Sequence, residues 1–99
     1  MAIRTYHDLD VFRDAYAAPR SRSIPANIVE GWGKRASTPE FKRYLQIAIG
    51  SCDETRMWLD LSKDEGYISE KECNEVKSKY NRIGAMLGSL WKQWRGSPR

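Results

Sequence analysis

Six basic side chains have the clearest chemical potential in this sequence, because together they could bind phosphate groups. They are Lys34, Arg35, Lys42, Arg43, Lys92 and Arg95. Lysine and arginine neutralise the phosphates of nucleic acids without reading the base sequence. Lys34 to Arg43 lie at or before the start of one predicted helix, and Lys92 and Arg95 lie at the end of the next. In an antiparallel helical hairpin that turns at Gly66, these two groups would meet at one end. The pattern predicts a basic pole there, which either binds RNA or DNA or is only a solvated charged end.

Charge is sorted along the chain, which has a formal net charge of +4. Residues 53–75 contain eight acids and three bases, whereas residues 76–99 contain six bases and no acid. The folded chain should therefore be basic at one end and acidic at the other. Bases near a helix C-terminus are favourable in any case, so the helix dipole explains part of this sorting.

Residues for catalysis or metal binding are scarce. Nucleophilic catalysis needs a nucleophile beside a base, and His7 is the one histidine in the chain. The acids lie at polar helix positions, and the sequence has no glycine-rich phosphate loop, HExxH or CxxC motif. We therefore expect no catalytic residue, metal or cofactor. An enzyme of unrecognised type is the remaining alternative, and it would need a deep pocket that holds several acids together.

Apolar residues recur at helical spacing in four segments, and no strand pattern is present. The predicted helices cover residues 9–18, residues 24–32, residues 38 to about 65, and residues 70–94. Ser37 with Glu40 and Ser69 with Glu72 are capping-box pairs for the last two helices. The sequence thus predicts a single all-α domain over residues 1–99, an antiparallel up-and-down four-helix bundle.

Glycines punctuate these helices. Gly31 and Gly33 fit a helix stop, and Gly66 fits a C-terminal cap. Gly84 and Gly88 lie in mid-helix, where each costs about 1 kcal/mol relative to alanine. Close approach of another helix would offset that cost, either within the chain or at a contact between subunits.

Three large apolar residues lie off the core stripes: Ile47, Trp58 and Trp91. A second apolar face predicts a protein interface, where tryptophan is enriched. The alternative for Trp91 is an exposed ring that stacks on nucleic-acid bases. Together with Gly84 and Gly88, these residues are the predicted oligomer interface.

The two cysteines, Cys52 and Cys73, have no metal-ligand spacing. We expect two buried free thiols in a reducing cytoplasm, with a disulfide between neighbouring helices as the alternative. No run approaches the roughly 20 apolar residues of a membrane span, and no secretory signal is apparent. These observations predict a cytoplasmic protein with no membrane partner.

The residue order of two central blocks, Ser23–Gly33 and Phe41–Ser51, resembles the four-helix bundle proteins encoded in intervening sequences of bacterial 23S ribosomal RNA genes. Asp8–Phe12 and Gly66–Ser69 extend the resemblance over most of the chain. A related member is the accessory protein of diversity-generating retroelements. The resemblance implies a non-enzymatic homo-oligomer, with a pentamer favoured, that binds nucleic acid as an accessory factor. A reverse transcriptase partner follows from this analogy alone.

The chain departs from the family pattern between the first two predicted helices. Relatives continue the first helix and loop into a second before the Ser-Ile-Pro block, whereas here only Ala17–Arg22 intervene. Either the first hairpin is short, or the sequence omits a segment. An uncovered apolar face would favour oligomerisation. The alternative function is a protein scaffold that recruits an unknown partner through Trp58 or Trp91.

Overall fold

The computed structural model describes Tyr6, Leu9 and residues 23–96, which form three helices and contain no strand. The helices are α1 (Ser23–Gly33), α2 (Thr38–Asp64) and α3 (Glu70–Gln93). The all-α class is therefore confirmed. The predicted first helix falls almost wholly outside the described residues, as do His7 and the Ala17–Arg22 connection.

Helix α1 begins at Ser23, so Pro25 lies in its first turn, where a missing amide hydrogen costs little. Ile24, Ile28 and Trp32 are buried, as their spacing predicts. The explanation of Gly31 as a helix stop is wrong, since the helix continues past it and its φ is not positive. Gly31 is instead buried at the crossing of α1 and α2.

Both long helices begin at their predicted caps. The Ser37 hydroxyl accepts a hydrogen bond from the amide of Glu40 at 3.3 Å, and the Ser69 hydroxyl accepts one from Glu72 at 3.0 Å. Between the helices, Gly66 has a φ of +80°, the left-handed conformation that glycine adopts without strain. Gly66 and the Ser69 cap thus define a short connection that makes α2 and α3 antiparallel neighbours.

Helix α2 packs against both α1 and α3. Most of its predicted stripe is buried, with Thr55 half-buried, and so is most of the α3 stripe. The buried residues are Phe41, Leu45, Ala48, Cys52, Leu59, Cys73, Tyr80, Ile83 and Leu87. Both cysteines are free thiols, so the disulfide alternative is wrong. Burial raises the pKa of the Cys52 thiol to about 11, which keeps it neutral at physiological pH.

The two mid-helix glycines of α3 have different surroundings. A methyl group on Gly84 would lie 3.2 Å from Nη1 of Arg56 on α2, whereas Gly88 has open space beside it. The same Nη1 donates to the Tyr80 carbonyl at 3.3 Å, and the guanidinium pairs with Asp53. Gly84 therefore makes room for a contact within the chain. Gly88 has no such neighbour, and a subunit contact there stays a prediction.

Candidate nucleic-acid interface

An aromatic cluster joins the three helices at the end where α2 begins and α3 finishes. The ring of Phe41 lies 4.6 Å from Trp94, and Trp32 lies 5.9 Å from Trp94 and 6.2 Å from Phe41. The antiparallel hairpin requires this meeting, since Phe41 is in the first turn of α2 and Trp94 caps α3. Trp94 is 6% exposed, which confirms its predicted place in the core.

Two cations of the predicted set lie on tryptophan rings at this end. The Arg35 guanidinium lies 4.5 Å from the Trp32 ring centroid, and its Nη1 donates to the Trp32 carbonyl at 3.0 Å. The Lys42 ammonium lies 4.7 Å from the Trp91 ring centroid. Cation–π attraction is worth about 0.5–1 kcal/mol at exposed sites, so both charges are oriented by the fold.

Three more cations project from the same end of the molecule. Arg95 donates to the carbonyls of Lys92 and Trp94 at 2.8 and 3.2 Å, which holds its guanidinium at the C-terminus of α3. Lys92 is exposed in the last turn of α3, and Lys34 is exposed in the turn after α1. With Arg35 and Lys42, they lie at the end of the molecule that holds the aromatic cluster.

Arg43 is the next cation along α2. It pairs with Glu40 at 3.2 Å, and its guanidinium lies 4.7 Å from the Tyr44 ring centroid. The hydrogen bond and charge of Glu40 raise the pKa of Arg43, so this group stays charged, but its partner offsets part of its field. Arg43 therefore contributes only part of its charge to the basic pole.

Trp91 lacks the fully exposed ring that base stacking would need. The residue is half-buried and packs against the core, and Lys42 covers one face of its ring. Sequence reasoning missed the pairing of Lys42 with Trp91, because these residues are 49 positions apart and only the hairpin brings them together.

The opposite end of the hairpin is acidic. Asp64, Glu65, Glu70 and Glu72 are exposed around the α2–α3 turn. Nearby, Asp60 accepts a hydrogen bond from Lys77 at 2.9 Å, which lowers the pKa of the Asp60 carboxyl. Among the described residues, acids therefore outnumber bases near the turn, and bases outnumber acids at the other end.

An apolar face runs along the outside of α2. Ile47 and Trp58, two of the predicted interface residues, are 41% and 56% exposed. Met57 and Leu61 on the same helix are 47% and 42% exposed, and sequence reasoning missed both. Leu61 could have been predicted from the sequence, because it lies three residues after Trp58 and therefore on the same side of the helix.

Within residues 23–96, Tyr6 and Leu9, no group of three or more His, Cys, Asp or Glu side chains could hold a metal ion. Over the same residues, no helix is both long and apolar enough to cross a membrane.

The all-α fold with its central Ser-Ile-Pro helix and long capped hairpin corresponds to a known family. The chain matches the family model of the 23S rRNA-intervening sequence protein over residues 19–89. Because the match covers most of the 99 residues, the chain belongs to this family. No curated protein and no solved structure matched the chain.

Proposed function

We propose that this protein is a non-enzymatic accessory factor that binds RNA or DNA through its basic pole. In this proposal the chain completes a four-helix bundle and assembles as a homo-oligomer in the cytoplasm. The pentamer implied by the family resemblance stays a prediction. The observation that carries the proposal is the grouping of these cations at the end of the molecule that holds the aromatic cluster, where Arg35 lies on the Trp32 ring and Lys42 on the Trp91 ring.

Phosphates are the expected target of this surface. Seating Arg35 and Lys42 on rings reduces the side-chain entropy that phosphate binding would otherwise cost. The same contacts occupy aromatic faces that base stacking would use. Binding should therefore follow the nucleic-acid backbone, with little dependence on base sequence.

Salt titration tests the proposal directly. Affinity for labelled RNA and DNA, as duplexes and as single strands, is measured over a range of salt concentrations. We expect a log–log slope steeper than about −4, because several phosphates are neutralised in each complex. Replacing Lys42 and Arg43 with glutamate should abolish binding. No binding at low salt would overturn the proposal.

A second variant and a matched control separate loss of binding from loss of fold. Lys34 and Lys92 are exposed, so Lys34→Glu with Lys92→Glu should leave the circular dichroism spectrum unchanged. This variant should flatten the salt slope by about 2, about one unit for each phosphate that is no longer neutralised. Lys63→Glu with Lys71→Glu makes the same charge change at the acidic end and should leave the slope nearly unaltered. Equal effects at both ends would contradict a role for the basic pole.

A protein scaffold is the second candidate function, favoured by the exposed Trp58 on the outside of α2. Reversing Lys42 and Arg43 should leave such an apolar contact intact. Trp58→Ala should break it while leaving nucleic-acid binding by each chain unchanged. The two variants therefore distinguish the candidates.

A further inference from the structure

The C-terminal half of α2 carries an exposed apolar cluster on its outer side. Its members are Met57, Trp58 and Leu61, three large side chains that are exposed to solvent. Leu61 follows Met57 by four residues and Trp58 by three, so the three side chains lie on one side of the helix. We call them the distal cluster. Exposed apolar residues that are grouped, rather than scattered singly, mark interaction sites.

Helix α1 is too short to cover the distal cluster. It has 11 residues and α2 has 27, which correspond to lengths of about 16 Å and about 40 Å. Gly31, near the end of α1, lies against Tyr44, near the start of α2. The C-terminal half of α2 therefore extends past Ser23, the first residue of α1. Helix α3 packs on the other side of this stretch, where the Cys73 thiol lies 3.5 Å from the Leu59 carbonyl.

Acidic side chains flank the distal cluster at both ends. Glu54 lies one turn before Trp58, and Glu65 lies one turn after Leu61. Both acids are exposed, and neither forms an ion pair with another of the described residues. The Trp58 indole donates a hydrogen bond to the Glu54 carboxylate at 3.4 Å, so the ring and the charge are held side by side.

Beyond Gln46, the exposed charges of α2 are all acidic. They are Asp53, Glu54, Asp64 and Glu65. The two cations of this stretch, Arg56 and Lys63, are only partly exposed, and Arg56 is paired with Asp53. The chain has a net charge of +4, yet the surface around its distal cluster is negative. Charge complementarity therefore favours a cationic partner at this surface.

We propose that the distal cluster binds a basic amphipathic helix of a partner protein. Such a helix has apolar side chains at intervals of three or four residues, with lysine or arginine beside them. Its apolar side packs on Met57, Trp58 and Leu61, as amphipathic helices pack on hydrophobic grooves. Its cations pair with Glu54 and Glu65. The flexible Met57 side chain adapts to the apolar residues that it meets.

A basic partner fits this surface better than a second copy of the chain. In a two-fold contact centred between Trp58 and Leu61, Glu54 would face Glu65 of the second copy and bring like charges together. Nucleic acid fits poorly as well, because its phosphates have the same sign of charge as these carboxylates.

A labelled leucine–lysine peptide tests the charge class of the partner. The peptide has about 18 residues, enough to form a helix, with leucines at intervals of three and four. By fluorescence anisotropy, we expect it to bind at least about tenfold more tightly than a leucine–glutamate peptide with the same leucine positions. Equal binding of the two peptides would overturn the basic partner while leaving a scaffold function intact.

Paired variants locate the bound peptide. Trp58→Ala should weaken binding of the leucine–lysine peptide by about 30-fold or more, as for a central tryptophan in an interface. Glu54→Gln with Glu65→Gln should weaken it roughly fivefold. Glu70→Gln with Glu75→Gln is the matched control, because it removes two exposed carboxylates of α3 and should leave binding unchanged. Equal weakening by the two glutamine pairs would contradict binding at the distal cluster.

The inference names a partner class for the scaffold function, so it rests on that second candidate and not on nucleic-acid binding. Lys42→Glu with Arg43→Glu should leave peptide binding intact, so each proposal can fail without the other. No peptide binding by the unchanged protein would overturn the inference. If sedimentation then showed an assembly that Trp58→Ala breaks apart, the surface would belong to a second copy of the chain.

Discussion

At the residue scale, Gly31 shows how a missing side chain determines a helix crossing. A methyl group at this position would lie 2.8 Å from Cβ of Tyr44 and 3.3 Å from Cδ1 of Phe41. The nearer of these atoms is fixed to the α2 backbone, so it cannot move aside as a flexible side-chain end would. Glycine therefore allows α1 to approach α2 closely enough to bury Ile28 and Trp32.

Gly31→Ala should destabilise the chain even though alanine is the better helix former. Overpacking costs about 1–3 kcal/mol, and alanine regains at most about 1 kcal/mol of helix propensity. Gly33→Ala is the control, because Gly33 ends the same helix without a positive φ, and a methyl group there would meet nothing within 4 Å. Urea unfolding should show a lower midpoint for Gly31→Ala and an unchanged midpoint for Gly33→Ala. Equal midpoints would contradict the close-packing explanation.

At the element scale, the α2–α3 turn ends one helix and aims the next. The amide of Gly66 donates to the Lys63 carbonyl at 3.0 Å, and the amide of Tyr67 donates to Ser62 at 2.9 Å. These two bonds form a Schellman motif, which satisfies carbonyls that the end of a helix leaves unpaired. Ile68 then packs against the core, and Ser69 caps α3.

Gly66→Ala should weaken this turn without touching the core. A left-handed residue with a Cβ costs about 1–2 kcal/mol, and the φ of Gly66 is +80°. Gly66→Asn should lose less stability than Gly66→Ala, since asparagine tolerates the left-handed conformation better than alanine does. Chemical denaturation of both variants measures the difference. Equal stability of Gly66→Ala and the unchanged chain would show that the turn relaxes to another conformation.

At the scale of the whole molecule, the aromatic cluster links helices that otherwise meet little. Helix α2 packs on both neighbours, whereas α1 and α3 are joined through the rings of Trp32 and Trp94. Two cations of the basic pole also contact this cluster, since Arg35 lies on the Trp32 ring and Arg95 donates to the Trp94 carbonyl. Stability and the proposed binding surface therefore depend on the same few side chains.

Trp94→Ala should destabilise all three helices together. Removing a buried tryptophan costs about 3–5 kcal/mol, which is a large share of the stability of a small domain. Trp94→Phe should lose less, because it keeps a ring and removes an indole N–H that has no acceptor among the described residues. Thermal unfolding followed by circular dichroism compares the two. A loss confined to the last turn of α3 would contradict the linking role.

Much of the fold could be predicted because its signals are local. The apolar stripe of α2, from Phe41 to Leu59, follows a regular spacing of three or four residues. The caps at Ser37 and Ser69 each bind an amide within one turn of the cap. The glycine of the α2–α3 turn was predictable for the same reason. Gly31 was not, because its role depends on how closely another helix approaches.

The candidate site was predictable as a set of charges but not as an arrangement. The amino-acid sequence by itself determined the helices, their caps, the buried stripes and the sorting of charge, since each depends on spacing along one chain. Only the tertiary structure decided that Lys42 covers Trp91, that Arg35 covers Trp32, and that Trp94 lies between α1 and α2. These contacts depend on how helices rotate and cross, and local periodicity does not encode either.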